Sequence, residues 1–408
     1  MTALGKTEVL VPKDERDGAN RLHWKEPILV LGLLAATHYV VDLVAGTVNP
    51  LWPDLEQIAG GPGNILGVYI PWMIATSFSQ LAFGALADRF SLRWLIWGGP
   101  AAALVCLSCI GWAPNTFWLA TLFVLGGLGI AAFHPEAAAL AGSLLPAQRS
   151  RAMAVFALSG YLGQSCGPLY SGWMTENLGG LPALGWGLTW GGAILVVLAI
   201  SLSFASSQPR QSKTASLPRR GKLRPSVLVL LLAIGSLRIT PALGVPFTLA
   251  FLLSQGGASG TAIGVVQSAF MAGIGLGAMT CAAFVKRAYE RTTIWLLPLC
   301  AAPILLALTQ VQGTLLTVLV AVSGLLLGIT MPIYISYGQQ LIPQSQRIAS
   351  SITMGVSWGV AAGLQASIFE LFRSFGTLPQ MFLFFAGMCV ASSFLCIWLP
   401  QPETADQE

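Results

Sequence analysis

The segment from Pro27 to Asn49, PILVLGLLAATHYVVDLVAGTVN, decides the fold. A helix rises about 1.5 Å per residue, so these 23 residues span roughly 34 Å and cross a hydrocarbon core of about 30 Å. The run holds two ionisable side chains, His38 and Asp42. They lie 11 and 15 residues past Pro27, near mid-bilayer, and four apart on one helix face, where they can hydrogen-bond or exchange a proton.

The rest of the chain extends this pattern. Of 408 residues, 55% are hydrophobic and 9% charged, with a mean hydropathy of +0.72. Polar side chains are too few to coat a water-facing globule of this mass, which excludes a soluble enzyme. Apolar runs recur near 64–84, 94–113, 116–144, 152–174 and 184–205, and again near 227–252, 261–285, 292–310, 313–341, 348–371 and 378–399. The expected fold is an all-α polytopic membrane protein of twelve transmembrane helices in two six-helix halves. The expected organisation is a cytoplasmic segment 1–26, halves 27–205 and 227–399, a linker 206–226 holding six basic residues and no acid, and a tail 400–408. Residues 1–26 lack the apolar core of a cleavable signal, so the first span does the targeting. The seven cysteines fall in or beside apolar runs without zinc-type spacing and read as packing residues.

With the amino terminus in the cytoplasm, all but Arg238 and Arg373 of the 21 Lys and Arg residues fall on cytoplasmic segments, while the outer loops carry Asp54, Glu56 and Glu176. The positive-inside rule selects this orientation, with both termini in the cytoplasm and the chain in the inner (cytoplasmic) membrane. Topology thus accounts for the net charge of +5, and nucleic acid is not an expected partner. A shift of 197 residues aligns His134-Pro135 with Met331-Pro332, and Leu144-Leu145-Pro146 with Leu341-Ile342-Pro343. A shift of 198 aligns Arg89, Arg93 and Pro100 with Arg287, Arg291 and Pro298. The halves therefore read as parallel repeats, the organisation of an alternating-access carrier.

After the second span stand Gly84, Asp88, Arg89 and Arg93, an arrangement that resembles the loop motif of the major facilitator superfamily. It reads as a latch: Gly84 permits close approach, and Asp88 pairs with a cation across the seam in one access state. Lys286 stands where the repeat would put a second Asp, so the latch is one-sided. The fifth span carries Gly163, Gly167, Pro168 and Gly172, resembling the glycine-proline motif of proton-driven exporters in that superfamily, although Trp173 replaces a second glycine. Small residues there permit tight helix packing.

A charge inside a span costs roughly 2.5–3.5 kcal/mol unless it finds a partner or water, so the few present are informative. His38 and Asp42 lie in the first span, His134 and Glu136 in the fourth, and Arg238 in the seventh. Arg238 follows Asp42 by 196 residues, nearly one repeat, which predicts an Asp and an Arg at one depth facing a common cavity. Pro135 removes a backbone hydrogen bond and exposes polar groups beside His134 and Glu136. Glu136 is the favoured titrating group, because small changes in exposure load and release a proton from a carboxyl in a dry pocket. The tenth span offers Tyr334, Tyr337, Gln339 and Gln340 as hydrogen-bonding groups for a substrate, and Trp72, Phe78, Phe133 and Phe247 of other spans are candidates for an aromatic wall.

Thr37-His38 with Asp42, Gly127-Leu128-Gly129 leading to Phe133-His134-Pro135-Glu136, and Tyr337 to Pro343 together resemble the fosmidomycin-resistance family of major facilitators. That resemblance implies proton-coupled export of a small anionic or amphiphilic drug or metabolite. The expected machine is an antiporter that acts as a monomer in the bilayer. It needs no cofactor or metal and draws on the proton gradient. Asp42 and Glu136 carry protons, His38 and His134 tune or relay them, and Arg238, Tyr334, Tyr337 and Gln340 meet the substrate. A symporter importing an organic anion would use the same groups. A non-transporting receptor or scaffold would need a soluble domain or long loop for which the chain has little room. No Ser-His or metal-ligand spacing marks an enzyme.

Overall fold

The computed structural model describes residues 27–61, 63–90, 92, 94–145, 148–205, 225–342 and 351–401. Among these, the regular structure is helical. Lipid leaves no other economical choice, since a helix satisfies its backbone N–H and C=O groups within its own segment. The first span is α1 (Pro27–Gly46), prolonged through a 3-10 turn at Asn49–Leu51 into α2 (Trp52–Ile58). The second is divided between α3 (Leu66–Ser77) and α4 (Ser79–Arg89). Then come α5 (Leu95–Ser108), α6 (Thr116–Leu144), α7 (Arg149–Asn177) and α8 (Gly187–Ala205). The second half holds α9 (Pro225–Gln255), α10 (Gly260–Phe284), α11 (Glu290–Ala307), α12 (Gly313–Leu341), α13 (Ser357–Phe375) and α14 (Met381–Leu395).

Ten of these spans are long and apolar enough to cross a bilayer unaided. The other two, α7 and α13, complete twelve, and their neighbours explain their weaker apolarity. Each packs against a helix of its own half and one of the other: α7 on α1 and α10, α13 on α9 and α3. Small and polar residues on these two helices meet protein more than lipid. Exposed Trp97, Trp112, Phe117, Trp118, Trp186 and Trp398 stand near span ends, where amphipathic rings suit the membrane interface.

The pairing repeats between halves. α1 on α7 matches α9 on α13, α3 and α4 on α6 match α10 on α12, and α5 on α8 matches α11 on α14. Gly127 and Gly324, 197 residues apart, mark equivalent close approaches. A Cβ at Gly127 would press on Trp72 and Thr76 of α3, and one at Gly324 on the backbone of Phe270 and Ile274 in α10.

Glycines of α7 set its distance from α1. Gly163 lies against the Tyr39 and Leu43 backbone, and a Cβ on Gly167 would stand 2.7 Å from the carbonyl carbon of Gly46 and 2.8 Å from its Cα. Further along, Gly172 abuts Gly260 of α10, so the same helix docks on both halves. Gly167→Val therefore forces α1 and α7 apart. Overpacking of this kind costs about 1–3 kcal/mol, read as a lowered thermal unfolding midpoint.

The halves are tied together at the end of the bundle that carries Glu56, Glu176 and Arg373. Glu56 of α2 and Arg373 of α13 form a bidentate ion pair, its second hydrogen bond 2.8 Å long, and Arg373 also lies 5.7 and 5.6 Å from the ring centroids of Phe251 and Phe369. The Glu176 carboxylate accepts from Thr261 N–H at the start of α10 (2.9 Å), and Gln267 donates to the Asn49 carbonyl (3.2 Å). Beneath them, Trp52 and Tyr69 of the first half meet Phe247 of the second at centroid distances of 5.4 and 5.0 Å. An aromatic layer closes this face.

Candidate functional site

Asp42 is held between two imidazoles. His38, one helical turn earlier on α1, brings Nε2 to 3.3 Å from Asp42 Oδ2, while His134 on α6 brings Nε2 to 3.4 Å from Oδ1. Residues 92 positions apart in sequence thus flank one carboxylate. Each ring is fixed from behind: His38 Nδ1 lies 2.7 Å from the Phe156 carbonyl of α7, and His134 Nδ1 lies 2.8 Å from the Ile130 carbonyl of α6. A carbonyl oxygen can only accept, so both Nδ1 atoms carry a hydrogen and donate it. Both Nε2 atoms are left to face Asp42.

The packing holds this geometry. His38 stacks on Phe156 at 4.1 Å and stands edge-on to His134 at 5.0 Å. Gly160 of α7 passes directly alongside, where a Cβ would sit 2.7 Å from Asp42 Oδ2 and inside the His38 ring's contact distance. The side chains of His38 and Asp42 are each 8% exposed and that of His134 25%, so access to the cluster runs past His134.

This arrangement has an electrostatic consequence. With both imidazoles neutral and hydrogenated at Nδ1, two Nε2 lone pairs would point at an anionic carboxylate and repel it. The cluster coheres when a proton, on an Nε2 or on the carboxyl, or another cation stands between the carboxylate and the rings. Such an arrangement can take up a proton or another cation, in a medium where an unpaired charge is costly.

The remaining predicted residues are distributed differently. Arg238 does not meet Asp42. It is fully buried in the second half, where Nη2 donates to the Ile294 carbonyl (2.7 Å) and to Cys396 Sγ (3.5 Å), and Nε and Nη1 have no hydrogen-bond partner among the described residues. The repeat spacing leaves its direction around the helix open, and Arg238 points toward α11 and the end of α14. Glu136 is half-buried and stands outside the three-residue cluster, and His134 takes the place beside Asp42. Tyr334 donates to the Leu231 carbonyl at 2.5 Å and lies 3.3 Å from Ser357 Oγ, and Tyr337 donates to the Pro400 carbonyl at 3.0 Å. Gln340 donates to Ser336 Oγ of its own helix at 3.1 Å and to Glu290 Oε2 of α11 at 3.5 Å. These side chains link helices of the second half. Phe133 packs beside His38, and Trp72 and Phe247 join the closing aromatic layer.

Gly84 approaches Pro135 of α6, whereas the side chains of Asp88 and Arg89, and Arg93 as a whole, lie outside the described residues. The linker 206–224 and the segments 1–26 and 402–408 also lie outside them. Sequence reading missed three features. The Glu56–Arg373 tie was signalled by a lone basic residue on the acidic face. Gly160 was one glycine among several. The expectation of no metal-ligand cluster is corrected: His38, Asp42 and His134 place one ligand atom each within 4.8 Å of the others, a grouping that folding creates and linear spacing hides.

The description of the Major Facilitator Superfamily matches residues 34–257, more than half of the chain. An uncharacterized MFS-type transporter, YfnC of Bacillus subtilis, is 23% identical over 383 residues, covering 87% of this chain and 88% of its own. The multi-drug resistance efflux pump PmrA of Streptococcus pneumoniae is 27% identical over 146 residues, 36% of each chain. Among solved structures, the nucleoside transporter NupG superposes with a TM-score of 0.69 at 15% identity, covering 91% of this chain and 100% of that one. The E. coli fucose:proton symporter FucP gives 0.59 at 12% identity, over 92% and 100%. Two interlocked six-helix halves, a match that runs from the first span through the seventh, and the shared architecture of these carriers agree: the chain belongs to the Major Facilitator Superfamily and is a multi-pass membrane transporter.

Proposed function

We propose that this transporter is a proton-coupled antiporter, exporting a small drug or metabolite of anionic or amphiphilic character from the cytoplasm. The observation that carries the reading is Asp42 clamped between two Nε2 atoms whose tautomers are fixed by backbone carbonyls. Such a cluster changes charge by one for every proton gained or lost, and His134 gives it contact with the medium. Helix α7, which supplies the Phe156 carbonyl and Gly160, also docks on α10. A change of charge at Asp42 is therefore felt by the helix that joins the halves, which is how protonation biases one access state over the other. Glu136 is a second proton carrier near the same entrance.

With the basic segments on the cytoplasmic side, as the positive-inside rule favours, the tied face lies outside and the halves are closed on that side. The reading as an exporter draws on the glycine-proline stretch of the fifth span and on the efflux pump relative, which aligns over about a third of its length. Symport is the second reading, favoured by a fold neighbour whose name records proton symport. Arg238, buried with two unpaired nitrogens, remains the residue suited to an anionic group if the second half opens. The chain functions as a monomer in the cytoplasmic membrane, without a cofactor.

The test begins with a thermal-shift screen of the purified protein against metabolites and antibiotics, repeated with Arg238→Ala. Hits are then followed in vesicles with an imposed pH gradient. Antiport predicts substrate moving against the proton flow. Movement with the protons establishes symport, and movement indifferent to the gradient refutes coupling.

A further inference from the structure

We propose that His38, Asp42 and His134 form a binding site for a first-row divalent transition-metal ion of the Zn²⁺, Co²⁺ or Ni²⁺ type. The inference goes beyond the transport reading and does not depend on it. Nitrogen and oxygen ligands of a tetrahedral ion at about 2.1 Å stand roughly 3.4 Å from one another. The two Nε2 atoms lie 3.3 and 3.4 Å from the carboxylate oxygens, so the separations already match. All three ligand atoms fall within 4.8 Å of one another.

A second observation concerns the atoms behind the ligands. A ligating histidine typically donates its other ring N–H to a carbonyl or carboxylate, which fixes the tautomer and aims the lone pair at the ion. Both histidines here do so, His38 to Phe156 and His134 to Ile130, from two different helices. Two imidazoles and one carboxylate suit zinc, cobalt and nickel better than magnesium or calcium, which prefer all-oxygen shells. A divalent ion also brings the same charge as one proton on each imidazole, so it meets the electrostatic demand of the cluster without adding to the burial cost. The 25% exposure of His134 leaves one side open for water or a further ligand.

The experiment is titration of Co²⁺ into purified, tag-free protein in chelator-treated buffer, read by visible absorption. One Co²⁺ per chain is expected, with the ligand-field bands of a nitrogen and oxygen shell, displaced by Zn²⁺. His134→Asn and Asp42→Asn should weaken binding by about 10-fold or more. His134→Asp, which keeps a ligand, should retain most of it and guards against misfolding as the cause. His23→Gln, outside the cluster, should change nothing. The proposal is overturned by an absence of saturable bands in the wild type or by equal binding in the Asn variants. It is also overturned by thiolate charge-transfer bands alone, which would place the ion on exposed Cys166 or Cys300. Metal binding is read at equilibrium and proton coupling in metal-free vesicles, so either reading can fail without the other.

Discussion

Asp42→Asn is expected to abolish proton-driven accumulation of substrate while leaving a folded protein that still exchanges substrate down its own gradient. The amide is isosteric with the carboxylate, and its NH₂ group donates to one Nε2 lone pair, which holds the side chain in place with the rings neutral. The clamp therefore survives, but the negative charge that recruits protons to both rings is gone. Losing a buried charge partner is worth about 3 kcal/mol or more, which corresponds to roughly 100-fold in the driven rate. Driven transport and passive exchange measured in the same vesicles separate coupling from damage. Equal loss of both would mean that Asp42 serves only to hold α1, α6 and α7 together.

Reversing one charge of the Glu56–Arg373 tie should produce the second large effect. Arg373→Glu opposes Glu56 with a like charge and removes the cation from beside Phe251 and Phe369. Both partners are largely buried, so the pair escapes most of the screening that makes surface ion pairs weak. A change of about 2 kcal/mol is expected, enough to move the two-state population roughly 30-fold. Spin labels on exposed Asn64 and Thr377, one on each half, read this as a longer distance between them. Glu56→Arg should act alike, and Glu56→Arg with Arg373→Glu should restore the short distance. Distances that ignore all three variants would show the tie to be idle.

The architecture was readable because hydrocarbon permits few solutions. The run from Pro27 to Asn49 had to be a spanning helix, and the 197-residue repeat had to produce two similar halves. Position along each span was also readable, since residue counts convert directly to rise along a helix. Direction around each helix was not. Asp42 and Arg238 stand nearly one repeat apart in sequence, yet one turns toward His134 and the other toward Ile294 and Cys396. The pairing of His38 with Asp42 was visible in their four-residue spacing, whereas His134 joins them through the crossing of α1 and α6, which no local pattern encodes. The same holds for Gly160, whose importance is the missing Cβ beside the carboxylate.

The central claim is that Asp42 draws cations onto two imidazoles whose Nδ1 hydrogens are committed to backbone carbonyls. Nitrogen-15 NMR of histidine-labelled protein in bilayers, with His23→Gln to leave two imidazoles, tests it without knowing the substrate. The account predicts Nδ1 protonated in both rings throughout, with both Nε2 signals changing with pH and displaced by Asp42→Asn. Neutral rings carrying their hydrogen on Nε2, or spectra indifferent to pH and to the substitution, would contradict it.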